Sequence, residues 1–226
     1  MKKEQPRKTR ILLVDDHPLV RQALRDVLEK ESDFEVVGEA GDGWQAVQMV
    51  EQYEPDIVIM DISMPLLNGI KATKQIKASK PNTSILILTV HTDIETIFSI
   101  LEVGASGYLI KSVFGPEVVH TIRAVMDGDM VLAPAVSQEL VKYALQHVTK
   151  PARTQTQATI APKEMELLCL AAKGLSNKQI GSRLQISEAT VKSYFVEIFQ
   201  KLNVRSRTEA IFVCLKSGIM TLENLT

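Results

Sequence analysis

Residues 56–69 read DIVIMDISMPLLNG, and this stretch decides how the front of the chain folds. Four apolar residues, Ile57 to Met60, stand between two aspartates. Polar and apolar residues do not alternate within the run, so both faces of the strand are expected to be covered. That is the pattern of a parallel sheet flanked by helices. Asp61 closes the run at its carboxyl end, and Pro65 and Asn68-Gly69 mark a loop before a helix over about 69–79.

The same unit repeats outward in both directions. Toward the N-terminus lie apolar strand patterns at 10–15 and 34–38, each followed by a helical pattern, over about 18–30 and 43–53. Toward the C-terminus the strands fall at 84–89 and 107–110, with helices over about 93–103 and 116–127. Five β-α units in about 120 residues predict a doubly wound, five-stranded parallel α/β domain. In such a sheet, function gathers where the carboxyl ends of the strands meet the switch in strand order. Four of the five strands carry polar residues there: Asp15 and Asp16, Asp61, Thr89 and Lys111. One of these could be a helix cap. Their joint occurrence points to a site.

Two carboxylates about 4 Å apart repel by roughly 4 kcal/mol at an effective dielectric of 20. Three at one rim therefore call for a cation. Oxygen ligands without imidazole or thiolate favour Mg²⁺, or the chemically similar Mn²⁺, which leaves room for a phosphate oxygen. Lys111 adds a positive charge and Thr89 a donor hydroxyl, a set suited to a phosphoryl group arriving on a carboxylate. His17 is read as beginning or capping the first helix. Gly38, Gly41 and Gly43 lack phosphate-loop spacing and are read as a turn before a helix, with Trp44 packing at its start.

These residues, with the phrases VDDHP, DIVIMDISMPLLNG and GASGYLIKS, resemble the receiver domain of bacterial two-component response regulators, a flavodoxin-like fold, over about residues 9–128. The resemblance implies that Asp61 accepts phosphate from a sensor histidine kinase. It implies Mg²⁺ ligation by Asp16, Asp61 and the Ser63 main-chain carbonyl, with Asp15 acting mainly through water. Thr89 and Lys111 would contact the phosphoryl group, and Tyr108 would swing inward as Thr89 moves. Ser63 and His91 stand at positions that tune loss of the phosphoryl group. Ser112 replaces the proline that many receivers carry after the lysine, which argues against a cis peptide there.

Residues 134–147 read as one amphipathic helix, and 149–159 as a polar tether, so 129–159 is expected to be a linker. Beyond it the charge changes sign. Residues 1–151 carry 16 Lys+Arg against 21 Asp+Glu, whereas 152–226 carry 10 against 6. A basic C-terminal segment fits a polyanionic partner. Pro162 suits the first turn of a helix, with Glu164 and Glu166 near its positive end, although Ala161 offers no side-chain cap. That helix is expected to end near Ala172. Asn177 can cap a second helix at about 178–184, Ser187 a third to about Leu202, and Ser206 a fourth ending near Ser217-Gly218. Ile180, Leu184, Ile186 and Val191 are placed to pack a helix-turn-helix pair. Cys169 and Cys214 fall in apolar helical stretches and read as core residues.

The string GLSNKQIGSRLQISEATVKSYFVEIFQKLNVRSRTEA is similar to the LuxR-type DNA-binding domain, assigned to 160–222 as a small all-α four-helix unit. Together with the receiver, it identifies the chain as a member of the NarL/FixJ class of response regulators. By that resemblance the helix 188–202 enters the major groove of promoter DNA. Lys192, Ser193 and Val196 would face base edges, with Glu197 a further candidate. Lys178, Thr190, Lys201, Arg205 and Arg207 would hold phosphates. Tyr194 and Phe195 depart from the family's usual phrasing, so operator preference does not transfer from relatives.

The implied device is a switch in which phosphorylation frees the DNA-binding domain to act as a homodimer on double-stranded DNA, in contact with the transcription machinery. An aspartyl-phosphate hydrolase would use similar groups, but no external substrate is expected here, only slow loss of the chain's own phosphate. The other rival is a constitutive DNA-binding protein whose receiver serves only to dimerise. No apolar run approaches the roughly 20 residues that span a bilayer, and the expected location is the cytoplasm, without membrane attachment.

Overall fold

A computed structural model describes residues 7–90, 93–111, 115–129, 160–204 and 206–220. The expected helix at 134–147, the tether at 149–159, His91, Ser112 and Arg205 lie outside the described residues. Ten elements alternate strictly at the front: β1 (Thr9–Val14), α1 (Pro18–Leu28), β2 (Phe34–Ala40), α2 (Gly43–Tyr53), β3 (Ile57–Met60), α3 (Gly69–Ser79), β4 (Ser84–Thr89), α4 (Ile94–Glu102), β5 (Gly107–Ile110) and α5 (Pro116–Met126).

The five strands form one sheet in the order β2-β1-β3-β4-β5, so the chain reverses direction of travel between β1 and β3. The ladders β1–β2, β1–β3 and β3–β4 are all parallel. β3 is buried at every residue, as an apolar run without alternation requires. α1 packs with α5, and α2 with α3, while β1 touches both α1 and α2. Helices therefore cover both faces.

β2 is an edge strand with a bulge: Ile11 pairs with Val36 but Leu12 with Gly38, leaving Val37 as an extra residue. Arg123 of α5 stacks 5.1 Å over the Phe34 ring, and Arg21 and Arg25 of α1 reach Glu39. Phe34 and Glu39 are five residues apart and would point to opposite faces of a regular strand. The bulge brings both to the face that carries α1 and α5. Gly38 points the other way, where a Cβ would stand 2.5 Å from Met49 of α2.

Two expectations at the start of α2 are corrected. Trp44 does not pack away but is about half exposed, because Asp42 caps the helix and Gly43 takes the close approach to its neighbours. Gly38 is not part of a turn; it lies within β2. The expected role of His17 is met by its backbone, which occupies the cap position of α1 without a side-chain capping bond.

The C-terminal domain comprises α6 (Pro162–Ala172), α7 (Asn177–Leu184), α8 (Glu188–Leu202) and α9 (Arg207–Lys216). Its core is drawn from all four helices, with Leu167, Leu168, Ile180, Val191, Phe195, Ile198, Leu202 and Cys214 buried. Both cysteines are buried free thiols, and burial pushes Cys214 up to about 12. α7 and its cap each fall one residue earlier than expected: the helix starts at Asn177, and Ser176 accepts the Gln179 N–H while Gln179 answers to the Ser176 N–H. At the turn between α7 and α8, a Cβ on Gly181 would meet the Ile186 carbonyl at 2.8 Å. That turn closes only around a glycine. Among the described residues no helix is long and apolar enough to cross a membrane.

Candidate functional site

Parallel pairing sets the first part of the site. Val14 is in register with Met60, so the residues that follow them, Asp15 and Asp61, emerge side by side at the carboxyl rim. The Asp61 N–H donates to the Val14 carbonyl at 2.8 Å, and the Asp15 N–H to the Ala40 carbonyl at 3.1 Å. One strand further on, the Lys111 N–H donates to the Thr89 carbonyl at 2.8 Å. Asp15, Asp61 and Thr89 are all buried, whereas Asp16 is only partly so. Such burial of polar groups is tolerable only with partners.

Lys111 is the shared partner. Its Nζ lies 2.7 Å from Asp15 Oδ2 and 2.9 Å from Asp61 Oδ2. The other Asp61 oxygen accepts the Ile62 N–H at 2.8 Å. Burial pushes the Asp61 carboxyl above its ordinary range; Lys111 pulls it down and Asp15 pushes it up further. Burial would lower the Lys111 ammonium, but its bonds to Asp15 and Asp61 outweigh that and hold it above the usual lysine value. One lysine thus divides itself between two buried carboxylates.

The loop after β3 closes over the acceptor through Gly69. Its N–H donates to the Ile62 carbonyl at 3.0 Å, and a Cβ there would fall 2.0 Å from the Asp61 carbonyl oxygen. Only glycine admits that approach. Ser63 is exposed in this loop. Tyr108, three residues before Lys111, is fully buried, and its burial pushes the phenol above its ordinary value.

The residues present fit a divalent cation. Three formal carboxylate charges against one ammonium leave an excess of two. Asp15, Asp16 and His17 bring ligand atoms within 4.8 Å of one another. Asp16 Oδ1 is buried without a hydrogen bond, and His17 Nδ1 stands 2.6 Å away. Carboxylate oxygens of this kind suit hard cations. Two groups that the sequence did not single out also bear on the rim. Arg21 donates to the Asp15 carbonyl oxygen at 2.5 Å and, through Nε, to Glu39 at 3.1 Å.

In the C-terminal domain, Val191, Phe195, Ile198 and Leu202 face inward, while Ala189, Thr190, Ser193, Val196, Glu197 and Gln200 are exposed along the outer face of α8. Val196 is 55% exposed, unusual for a large apolar residue and suited to a thymine methyl group. Ser187 caps the helix by accepting the Thr190 N–H at 3.0 Å. The Lys192 ammonium is held 3.1 Å from Glu188, one turn earlier, which raises its pKa. Lys178 is exposed at the start of α7.

Two basic residues expected at phosphates are engaged elsewhere. Arg207 is 3% exposed: its guanidinium donates to the Leu175 carbonyl and stacks 5.1 Å over Phe195, and burial pulls its pKa down to about 10. A group so enclosed does not reach a DNA backbone, and the expectation for it is corrected. Lys201 retains an exposed stem, but its Nζ lies 2.6 Å from Glu164, which is buried and also accepts the Ala161 N–H at 2.8 Å. Burial works against the Glu164 charge, yet Lys201 and the Ala161 N–H together hold its carboxyl below the ordinary value.

Comparison with known proteins agrees with both halves. The response regulator receiver domain model matches residues 11–123, and the model of the luxR family of bacterial regulatory proteins matches 158–214. The transcriptional regulatory protein YdfI of Bacillus subtilis (strain 168) is 38% identical over 215 residues, covering 95% of this chain and 99% of the relative. The transcriptional regulatory protein DegU of Brevibacillus brevis is 34% identical over 223 residues, covering 93% and 94%. Among solved structures, the Salmonella typhimurium RcsB response regulator, studied for conformational dynamism in DNA interaction, aligns with TM-score 0.56 and 26% identity over 91% of this chain and 97% of its own. With a five-stranded receiver in front and a helix-turn-helix domain behind, this chain belongs to the two-component response regulators with a LuxR-type DNA-binding domain, and it is a DNA-binding transcriptional regulator.

Proposed function

We propose that Asp61 is the phosphoryl acceptor and that its modification by a sensor histidine kinase switches DNA binding by the C-terminal domain. The observation that carries this reading is the rim itself: a buried carboxylate with raised pKa, sharing one lysine with a second carboxylate, under a glycine-bounded loop. An Asp61 oxygen attacks the phosphorus of the donor phosphohistidine while the imidazole leaves. Mg²⁺, when bound, supplies charge neutralisation and orientation of the transferring oxygens. Asp16, Asp61 and the Ser63 carbonyl would hold it, with Asp15 reaching it mainly through water; Mn²⁺ fits the same oxygens.

Lys111 is the group that must move. Held between Asp15 and Asp61 before transfer, it would turn to the incoming phosphoryl oxygens, with the Thr89 hydroxyl as a second donor. Phosphorylation adds about 1.5 to 2 negative charges, and Tyr108 is the buried aromatic that would follow Thr89. The activated form would bind promoter DNA as a homodimer, with half-sites about one helical turn apart, some 34 Å. Lys192, Ser193 and Val196 would meet base edges, and Lys178 and Thr190 phosphates. Engagement of the transcription machinery and a cytoplasmic location complete this reading. No external substrate is part of it.

The test is binding of the purified protein to promoter DNA with and without acetyl phosphate and Mg²⁺, alongside Asp61→Asn. A gain in affinity that disappears in Asp61→Asn is expected. Equal binding in every condition would leave a DNA-binding protein whose receiver serves another purpose.

A further inference from the structure

The main chain that carries Asp15 and Asp16 is held from outside the acidic rim. Arg21 lies on the first turn of α1, largely buried, with 17% of its side chain exposed. One guanidinium nitrogen donates to the Asp15 carbonyl oxygen at 2.5 Å, and Nε donates to Glu39 Oε2 at 3.1 Å. The other Glu39 oxygen accepts Arg25 Nε at 2.6 Å. Burial opposes the charge on Glu39, but the bonds from Arg25 and Arg21 outweigh it and hold the carboxyl below its ordinary value. Glu39 faces these arginines because of the extra residue in β2.

We propose that Arg21, oriented by Glu39, is a positioning residue of the cation site: it fixes the Asp15 carbonyl and so sets the direction in which the Asp15 and Asp16 carboxylates present themselves. The inference rests on the reading of the rim as a Mg²⁺ site. Two features of the geometry support it. A guanidinium fork can hold a carbonyl and a carboxylate at once, which an ammonium does less well. The Asp15 carbonyl is also the last one before the turn into α1, since the next, at Asp16, leads directly to the cap residue His17.

Charge and position predict opposite signs, which makes the idea testable. Arg21 is a cation near a cation site, so by Coulomb's law alone its removal would tighten Mg²⁺ binding. A positioning role predicts weaker binding. Groups that orient ligands typically change metal affinity by about tenfold or more.

The experiment titrates Mg²⁺ into the full-length protein without any phosphodonor, reading affinity by calorimetry and by the amide shifts of Asp15, Asp16 and Ile62. The variants are Arg21→Met, Arg21→Lys and Glu39→Gln. Roughly tenfold weaker binding is expected in Arg21→Met, a smaller loss in Arg21→Lys, and a loss in Glu39→Gln. Acetyl phosphate labelling should be slowed at low Mg²⁺ and recover toward wild type at saturating Mg²⁺. Should Arg21→Met not fold, Glu39→Gln and Arg21→Lys carry the same comparison. Tighter binding in Arg21→Met would reduce Arg21 to a charge, and unchanged binding in all three variants would remove it from the site. Absence of Mg²⁺ binding by the wild-type protein would instead overturn the reading of the rim.

Discussion

The two domains treat their charged residues in opposite ways. In the receiver the groups proposed to take the phosphoryl group are enclosed: Asp61 is 3% exposed and Thr89 fully buried, with Asp15 beside them at 2%. In the DNA-binding domain the groups proposed to meet DNA stand outside, on the surface of α8 and the start of α7, and the enclosed charges there, Arg207 and Glu164, bond within the domain. A buried charge in the receiver stores an electrostatic demand that a cation or phosphoryl group can answer. In the helical domain Glu164 is answered by Lys201 and the Ala161 N–H, and Arg207 faces the Asp129 carboxylate at 3.5 Å. Burial of a charged residue therefore means different things at the receiver rim and in the helical domain, and what separates them is how far its partners complete the balance.

The largest test of that contrast is Lys111→Met. It should strip Asp15 and Asp61 of their shared cation and lower receiver stability by about 3 kcal/mol in the absence of divalent ions. Urea unfolding in EDTA measures the loss, and Mg²⁺ should restore much of it. A variant as stable as wild type would mean that the rim is not under electrostatic stress. Next comes Arg207→Met, which loses a bond to the Leu175 carbonyl, the Asp129 pair at 3.5 Å and a ring contact with Phe195, a loss of about 2 kcal/mol. Thermal unfolding should report that drop, whereas the folded fraction should keep the wild-type salt dependence of DNA binding.

Glu164→Gln should cost about 1–2 kcal/mol at neutral pH. The sign with pH follows from its lowered carboxyl pKa. The stability that Glu164 contributes is complete above its ordinary value of 4.5 and is lost as pH falls through the lower folded value. The wild-type helical domain should therefore weaken more steeply than Glu164→Gln below about pH 4.5. Parallel curves would show that the Lys201 pair is idle. Smallest in stability is Lys178→Ala, expected within about 0.5 kcal/mol of wild type. Its effect should appear in DNA binding, with the salt slope reduced by about 1.

Much of the receiver was legible because topology, not side-chain detail, gathers its site. Once the apolar runs are read as parallel strands, Asp15, Asp61, Thr89 and Lys111 must fall at one rim. The observed strands agree with the sequence reading to within a residue or two. The helical domain was legible as an architecture but less so residue by residue. Lys201 and Arg207 look like surface cations in sequence, and what diverts them is distant: Glu164 is 37 positions from Lys201 and Leu175 is 32 from Arg207. Ser176 could have been recognised, since Gln179 follows it at the spacing of a capping box. The bulge in β2 carried no comparable signal, because Val36 and Val37 suit either face. Arg21 was missed for the same reason: its partner faces it only after that extra residue.

The extra residue in β2 also bears on how this domain can change over generations. A substitution at Glu39 disturbs one contact and is reversible by one further substitution. Deleting a single residue among Val36, Val37 and Gly38 is different. It would restore an unbroken ladder along an edge strand and leave Phe34 and Glu39 four positions apart, so that Glu39 still faces both arginines. A lineage that lost the bulge by deletion would therefore be expected to keep the arginine at position 21, whereas one that straightened β2 at constant length would turn Glu39 to the opposite face and part it from that arginine.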